Sequence, residues 1–287
     1  MSILVAQNLT IARDGRTVAS GLDFSVSSGT LLGGAGPNGE GKSTLLRVLS
    51  GELPPSVGRV LFGGQDIASI SHHHLARQRV FLAQQSECRL PFLASEMVLL
   101  GAEAAGHRGR AARERAATAL EIAGVSHLER RMMSKLSGGE QQRVHWARVL
   151  AQLDNRTEGR LLFLDEPVSS LDIAHQHELL AKAGSLAKAG AAVVAVLHDL
   201  NLAARYADEL ILLHNSLMQS HGSPAHVLNP ETILRVFNVH AHVITHPSDG
   251  TPLVAVNHVP VDGRGLSRVS SAPVHQDRFC RGNTHGQ

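Results

Sequence analysis

The fold of this chain is decided by the stretch Gly36-Pro37-Asn38-Gly39-Glu40-Gly41-Lys42-Ser43-Thr44. It fits the pattern G-x-x-x-x-G-K-[ST] of a phosphate-binding loop, whose glycines let successive backbone N–H groups face the phosphates. Lys42 would reach the β- and γ-phosphates, and the Ser43 hydroxyl would bind Mg²⁺. The apolar pair Leu31-Leu32 predicts a strand before the loop, and residues 43–49 predict a helix whose N-terminus favours anions. The sequence therefore predicts a nucleotide site.

Around this loop, short apolar runs alternate with helical stretches, which predicts an α/β fold with a mainly parallel sheet. The runs Leu161-Leu162-Phe163-Leu164 and 192–197 are continuously apolar, as expected of buried parallel strands. They end in Asp165-Glu166 and in His198-Asp199, respectively. Because open α/β sheets bind ligands at the carboxyl ends of their strands, these polar residues are candidates for the same site as the loop.

Three segments outside this alternating α/β pattern have other predicted structures. Residues 3–26 predict two or three short antiparallel strands, separated at Asp14-Gly15 and at Ser20-Gly21. A helical subdomain is predicted at about 85–140, since residues 110–123 have a helical composition and no strand signal. We expect one domain over 1–259, followed by a disordered tail over 260–287 that is rich in Gly, Ser, Arg and His.

Composition excludes several classes of protein. The 287 residues contain no apolar run of about 18 residues and no N-terminal signal pattern, which predicts a cytosolic chain. A formal charge of +2 and an aromatic content of only 3% argue against nucleic acid as a main partner. The two cysteines, Cys88 and Cys280, lie far apart and imply no disulfide framework.

A second motif, the octapeptide Leu136-Ser137-Gly138-Gly139-Glu140-Gln141-Gln142-Arg143, opens a predicted helix. It resembles the signature sequence of ATP-binding cassette (ABC) ATPases. Its small residues let backbone N–H groups and the Ser137 hydroxyl approach a γ-phosphate at a helix N-terminus. The resemblance implies an ABC-type P-loop ATPase fold with an antiparallel β subdomain and an α-helical subdomain. It also implies a head-to-tail dimer, in which Ser137, Gly138 and Gly139 close over the ATP held by the other subunit.

The other motifs of the ABC family follow in the family's order. The resemblance implies that Asp165 holds Mg²⁺ and that Glu166 orients or deprotonates the attacking water. Gln84 matches the Q-loop glutamine, which in the family contacts Mg²⁺ and water, although the assignment can slip by one residue to Gln85. Asp172 lies in Ser169-Ser170-Leu171-Asp172, which resembles the D-loop that reaches across the dimer. His198 matches the H-loop histidine that contacts the γ-phosphate and supports Glu166.

The departures from the family's pattern include two that bear on nucleotide binding. Glu40 stands where the family more often has a small residue, and it brings a negative charge near the phosphates. The cost is small if its side chain points to solvent, and otherwise the affinity for ATP falls. The adenine-stacking position falls near Arg13-Asp14-Gly15, where there is no aromatic residue. Arg13 is either a stacking guanidinium or a solvated hairpin residue, so the base selectivity stays open.

The less universal segments resemble the ATPases of haem importers, which are related to those of iron-siderophore and cobalamin importers. These segments are Leu90-Pro91-Phe92 with 95–101, residues 136–153, and 196–208. The resemblance implies ATP and Mg²⁺ as cofactors and a peripheral location at the cytoplasmic face of the inner membrane. It implies as partners a second copy of the chain and two transmembrane permease subunits, with a periplasmic haem-binding protein acting indirectly.

The sequence leaves three alternatives to haem import by an ABC importer. An iron-siderophore or cobalamin importer shares all the hydrolytic motifs. A soluble ABC ATPase outside transport is disfavoured, because such proteins usually carry two cassettes or a long coiled-coil insertion. Direct haem ligation by His72-His73-His74, or by His242 with His246, is disfavoured, because the triplet is predicted in a polar loop or at a helix start and the pair is not on a clear helix.

Overall fold

The computed structural model describes residues 2–13, 15–84, 91–153 and 157–258. The strands within these ranges are β1 (Ser2–Arg13), β2 (Arg16–Ser27), β3 (Leu31–Ala35), β4 (Val57–Phe62), β5 (Gln65–Asp66), β6 (Arg79–Leu82), β7 (Leu161–Asp165), β8 (Ala192–Val196), β9 (Glu209–His214), β10 (Leu217–Gly222), β11 (His240–Thr245) and β12 (Pro252–His258). The helices are α1 (Lys42–Leu49), α2 (His72–Gln78), α3 (Ala94–Ala104), α4 (Gly109–Ile122), α5 (Gly138–Leu153), α6 (Ile173–Lys188), α7 (Leu200–Tyr206), α8 (Pro224–Val227) and α9 (Pro230–Phe237).

The central sheet has the strand order β10-β9-β3-β8-β7-β6. Neighbouring strands from β9 to β6 are parallel, and only the edge strand β10 is antiparallel to its neighbour. This arrangement confirms the predicted α/β fold with a mainly parallel sheet. It also places the carboxyl ends of β3, β8, β7 and β6 side by side, and the candidate site lies at this edge.

The apolar runs of the sheet are buried on both faces because alternate side chains of a strand point to opposite sides. In β7, Leu161 and Phe163 pack with α1 and the N-terminal strands, whereas Leu162 and Leu164 pack in the core formed with the helices α3 to α7. Helix α1 therefore lies between the central sheet and the antiparallel sheet. A continuous apolar sequence is what such a two-sided environment requires.

The N-terminal strands form an antiparallel sheet of order β2-β1-β4-β5. The predicted interruption at Ser20-Gly21 is wrong, because β2 continues through it from Arg16 to Ser27. At this dipeptide the pairing of β1 with β2 shifts in register, since Leu9 pairs with Leu22 but Ile11 pairs with Ala19. Gly21 adopts a φ of 61°, a left-handed conformation that glycine permits inside a bulged strand.

Helices α3, α4 and α5 pack together beside the central sheet, and residues 110–123 are helical up to Ile122 as predicted. Arg148 of α5 donates from Nη2 to the carbonyl oxygen of Phe81 in β6 at 2.9 Å. At Gly101 of α3, an added Cβ would lie 2.2 Å from the carbonyl oxygen of Arg148, so α3 and α5 touch backbone to backbone. These contacts fix the helices to the strand that leads to Gln84.

The last two strands form a separate antiparallel ribbon, β11-β12. Asn201 of α7 holds this ribbon by pairing with the backbone of Val254. Its Oδ1 accepts from the Val254 N–H at 2.7 Å, and its Nδ2 donates to the Val254 carbonyl oxygen at 3.3 Å. Arg205 and Asp249 add an ion pair at 3.1 Å. The segments 85–90 and 260–287, which include Gln85 and the predicted disordered tail, lie outside the described residues.

Candidate nucleotide site

The loop at 36–44 connects β3 to α1, as the sequence predicts. Its shape depends on glycine at two positions. At Gly36 (φ 149°) an added Cβ would lie 2.1 Å from the carbonyl oxygen of Leu213, and at Gly41 (φ 78°) it would lie 1.8 Å from Cγ1 of Val18. The loop is thus pressed between β9 and β2, and Gly41 serves as the N-cap of α1. The N–H groups of the first turn of α1 are oriented toward the site.

Lys42 is buried at the base of this loop. Its Nζ donates to the carbonyl oxygens of Gly36 at 2.8 Å and of Pro37 at 2.7 Å. Burial lowers the pKa of Lys42, and the negative charges of Glu166, Glu40 and Asp165 oppose that shift. The ammonium group is therefore held at the centre of the loop, where an incoming phosphate would offer it charged oxygen acceptors instead of neutral carbonyls.

The Ser43 hydroxyl donates to Oδ1 of Asp165 at 2.8 Å. Asp165 ends β7 and is almost completely buried, with 2% of its surface exposed. Burial raises the pKa of Asp165, the hydrogen bond from Ser43 opposes the rise, and the neighbouring Glu166 carboxylate adds to it. A hydroxyl and a buried carboxylate in contact form a set of hard oxygen donors, which is the chemistry that Mg²⁺ prefers.

Glu166 lies between two side chains that follow the neighbouring strands β6 and β8. Its Oε2 accepts from Nε2 of Gln84 at 2.7 Å, and its Oε1 lies 2.6 Å from Nε2 of His198. Its backbone is left-handed (φ 48°), and its N–H donates to the Val196 carbonyl oxygen at 3.2 Å. This turn at the end of β7 directs the Glu166 carboxylate toward the ends of β6 and β8.

These residues surround a cleft of about 540 Å³. Its lining is formed by Asn38, Gly39, Gly41, Lys42, Ser43, Thr44, Gln84, Glu166 and His198. The structure thus brings most of the predicted phosphate-loop residues together with the predicted residues that follow β6, β7 and β8. Four other residues predicted for the chain's own half of the site are not among those that line the cleft: Gly36, Pro37, Glu40 and Asp165. The volume is within the usual range of small-molecule sites.

The predicted signature residues Ser137, Gly138 and Gly139 are not among the residues that line this cleft. Ser137 caps α5, since its N–H donates to Oε2 of Glu140 at 2.7 Å and its Oγ accepts from the Glu140 N–H at 3.3 Å. Ser137 and Gly138 are exposed. Within one chain, the signature helix therefore presents its N-terminus to the surface instead of to its own phosphate loop.

Asp172, also predicted for the partner's site, lies at the N-terminus of α6 and outside the lining of the cleft. Its Oδ1 accepts from the His175 N–H at 3.0 Å and from the His175 ring Nδ1 at 2.7 Å. Nη1 of Arg143 contacts Nε2 of the same ring at 2.9 Å. The ring of His175 thus connects the D-loop segment to the signature helix, a link that the sequence analysis missed.

The Glu40 side chain does not point to solvent, the orientation for which the cost to ATP binding would be small. Its Oε1 accepts from Nδ1 of His214 at 3.0 Å, and its Oε2 accepts from the Ser216 N–H at 3.4 Å. Only 17% of the Glu40 side chain is exposed. The carboxylate therefore points to the β9–β10 turn, neither into solvent nor into the cleft, and no sequence signal marked His214 as its partner.

A glycine-rich loop that opens a helix, with a Ser–Asp pair beside it and a further carboxylate at the ends of parallel strands, defines a P-loop nucleoside triphosphatase. The family model described as ABC transporter matches residues 19–169. The chain belongs to the ABC transporter family, and it is an ATP-binding ATPase of that family. The prediction made from the phosphate loop and the signature octapeptide is confirmed.

Relatives of known name cover most of the chain. A hemin import ATP-binding protein HmuV from Bordetella bronchiseptica is 44% identical over 250 residues, which are 85% of this chain and 95% of the relative. A protein of the same name from Photobacterium damsela subsp. piscicida is 42% identical over 256 residues, which are 88% of this chain and 95% of the relative. The matches extend well beyond the shared nucleotide motifs.

Solved structures support the fold. The nucleotide-free ATP-binding cassette of an ABC transporter is 25% identical, with a TM-score of 0.67 over 83% of this chain and 96% of that chain. An inward-facing metal-chelate type ABC transporter gives a TM-score of 0.73 at 24% identity, over 90% of this chain and 98% of that chain. Among the residues described, no helix has the length and apolar composition to span a bilayer.

Proposed function

We propose that this chain is the ATP-hydrolysing subunit of an importer that carries haem across the inner membrane. The observation that carries the ATPase assignment is the position of Glu166, which lines the phosphate-loop cleft between Gln84 and His198. The cargo rests on the relatives named hemin import ATP-binding protein, at 42% and 44% identity over most of the chain.

In this proposal, residues 36–44 bind the phosphates of ATP through their backbone N–H groups and Lys42. Glu166 accepts a proton from the attacking water, whose oxygen bonds to the γ-phosphorus while the bond to the β–γ bridging oxygen breaks and ADP leaves. His198 orients Glu166 and contacts the γ-phosphate. Both side chains reach the cleft from the ends of β7 and β8, which are paired strands.

The same cleft suits Mg²⁺. The residues that would hold it are Ser43, Asp165 and Gln84, of which Ser43 and Asp165 are already in contact at 2.8 Å. Gln84 would offer its side-chain carbonyl oxygen. When bound there, the ion would neutralise charge on the β- and γ-phosphates.

The second half of the site would come from another copy of the chain. Ser137, Gly138, Gly139 and Asp172 do not line the cleft of their own chain, and the first two are exposed. A helix N-terminus with small residues suits an approach to the γ-phosphate of ATP bound by a partner. ATP would then join two copies head to tail, with each of two sites shared between them.

Mixing two inactive variants tests this arrangement. Lys42→Ala removes the loop's cation, and Ser137→Arg blocks the signature helix, so each variant alone should lack ATPase activity. A heterodimer of the two places both defects in one site and leaves the other intact. An equimolar mixture should therefore recover about a quarter of the wild-type activity if the sites are independent. A mixture as inactive as its components would contradict the shared site.

The cargo and the membrane partners need a separate experiment. We propose that two permease subunits hold the chain at the cytoplasmic face of the membrane, and that a periplasmic haem-binding protein delivers the cargo. In proteoliposomes that contain the complete complex, haem should stimulate ATP hydrolysis and enter the lumen, whereas ferric siderophore and cobalamin should not. Stimulation by one of those two ligands instead would overturn haem as cargo but leave the ATPase assignment intact.

A further inference from the structure

Glu40 is the one acidic residue of the phosphate loop. Both oxygens of its carboxylate are engaged by the β9–β10 turn, Oε1 with Nδ1 of His214 and Oε2 with the backbone N–H of Ser216. The exposed fractions of the two side chains are 24% for His214 and 17% for Glu40. The contact is therefore largely shielded from water, and it joins residues 174 positions apart.

The turn that holds Glu40 is well anchored. Asn215 and Ser216 have φ values of 51° and 61°, the pattern of a tight two-residue hairpin turn. Ser216 also fixes the turn to β2, since its Oγ donates to the Thr17 carbonyl oxygen at 2.8 Å and its own carbonyl oxygen accepts from the Ser20 N–H at 2.8 Å. The carboxylate is thus tied to a rigid point between two sheets.

The charge of Glu40 acts on the nucleotide site. It is one of the carboxylates whose field supports the protonated form of Lys42 against burial. A negative charge close to the loop would also repel the phosphates of ATP, by an energy that grows as the carboxylate approaches them in a partly buried setting. The orientation of this side chain therefore matters for nucleotide affinity.

We propose that His214 is a positioning residue for ATP binding, which keeps the Glu40 carboxylate turned away from the phosphates and bound to the β9–β10 turn. We call Glu40, His214 and Ser216 the Glu40 clasp. This inference rests on the proposed function of the loop as the binding site for the ATP phosphates. It assigns to His214 a role in affinity, and none in the chemical step.

The test uses the full chain and four variants: His214→Ala, Glu40→Ser, the double variant, and His221→Ala as a matched control. His221 lies on β10 of the same hairpin and contacts Glu209 at 2.9 Å, so it forms a similar His–Glu pair away from the loop. The readouts are the Kd for ATP, and KM and kcat for hydrolysis. Thermal unfolding of each variant identifies any that fails to fold.

His214→Ala should weaken ATP binding by about 5- to 10-fold and raise KM equally, with kcat within about two-fold of wild type, because a freed carboxylate repels the phosphates. The loss should shrink at high salt. In the Glu40→Ser background, adding His214→Ala should change the Kd for ATP by less than about two-fold, because the carboxylate that His214 holds is no longer present. His221→Ala should match the wild-type chain.

A His214→Ala variant that folds and binds ATP as tightly as His221→Ala would overturn the clasp. So would a double variant that keeps the full loss of His214→Ala, because the effect would then not run through Glu40. Lys42→Ala shows separately whether the loop is the site that is being measured. If it binds ATP like the wild-type chain, the assignment of the loop fails; if only His214→Ala is without effect, the clasp alone fails.

Discussion

Oε1 of Glu166 and Nε2 of His198 lie 2.6 Å apart, although the two residues follow different strands. The distance is short because β7 and β8 are paired in parallel, with Asp165 opposite Val196. Residues that follow the two strands therefore emerge at the same edge of the sheet. The contact connects the proposed base directly to the residue that is proposed to orient it.

Replacing Glu166 by Gln should reduce ATP turnover by about 100-fold or more while ATP binding is retained, because the amide has no carboxylate oxygen to accept the proton from water. Rapid mixing with radiolabelled ATP measures the chemical step, and equilibrium dialysis measures binding. Glu209→Gln is the matched control, since Glu209 also contacts a histidine but lies outside the cleft lining. Turnover close to wild type in Glu166→Gln would remove Glu166 as the base.

Gly36→Ala should destabilise the protein by roughly 2–4 kcal/mol, because the new Cβ would lie 2.1 Å from the backbone oxygen of Leu213 and two backbone segments cannot easily separate. Gly39→Ala is the comparison: its φ is also positive, at 85°, but an added Cβ meets nothing within 4 Å. That variant should lose only about 1 kcal/mol from the left-handed backbone. Urea unfolding without nucleotide measures both, and equal losses would contradict the close approach of β9.

His145 predicts a specific dependence of stability on pH. Burial, and to a lesser extent the charge of Arg148, lowers the pKa of His145 to about 4. Below the ordinary histidine pKa the unfolded chain takes up a proton that the folded chain excludes, so the stability falls as pH drops from about 6.5 toward 4 and this loss then levels off. At pH 5 the loss should be roughly 2 kcal/mol relative to pH 7.5.

The measurement is urea unfolding of the wild-type chain and of His145→Gln at several pH values. The variant lacks the titrating ring, so its stability should fall less between pH 7.5 and pH 5, by about the same 2 kcal/mol. His127→Gln, at an exposed position, is the matched control for a histidine-to-glutamine change. If His145→Gln and the wild type lose stability in parallel, the ring is not kept neutral by burial.

Asn201→Ala should loosen the β11–β12 ribbon, because it removes both hydrogen bonds to the backbone of Val254. The local opening free energy of β12 should fall by about 1–2 kcal/mol, while the central sheet keeps its protection. Hydrogen exchange followed by mass spectrometry resolves the two regions. Asn257→Ala, an exposed position on the same strand, should exchange like wild type, and similar exchange in Asn201→Ala would show that other contacts hold the ribbon.

Much of the site follows from the sequence because its parts are local motifs on buried strands. The apolar runs before Asp165 and before His198 predict parallel strands, and parallel strands bring their carboxyl ends together. Gln84, Glu166 and His198 consequently meet in the structure as the family order suggests. At the carboxyl ends of β6, β7 and β8, the motifs read from the sequence and the order of the strands therefore predict the same cluster of residues.

Other features depend on pairings that no local pattern encodes. Glu40 contacts His214 because β9, which ends at His214, lies beside β3, which leads into the phosphate loop. The continuity of β2 through Ser20-Gly21 depends on its pairing with β1, which overrides the turn signal of that dipeptide. In both cases a distant strand determines the outcome, so the sequence alone left the orientation of Glu40 open.

The hydrogen bond from Arg148 to the carbonyl oxygen of Phe81 links helix α5 to strand β6. Arg148 belongs to the helix whose N-terminus carries Ser137, and Phe81 belongs to the strand that leads to Gln84, which in turn touches Glu166. A tilt of α5 against the sheet must therefore either break this bond or pull on the strand. As long as this bond is intact, α5 cannot shift along the sheet without also moving the strand that leads to Gln84.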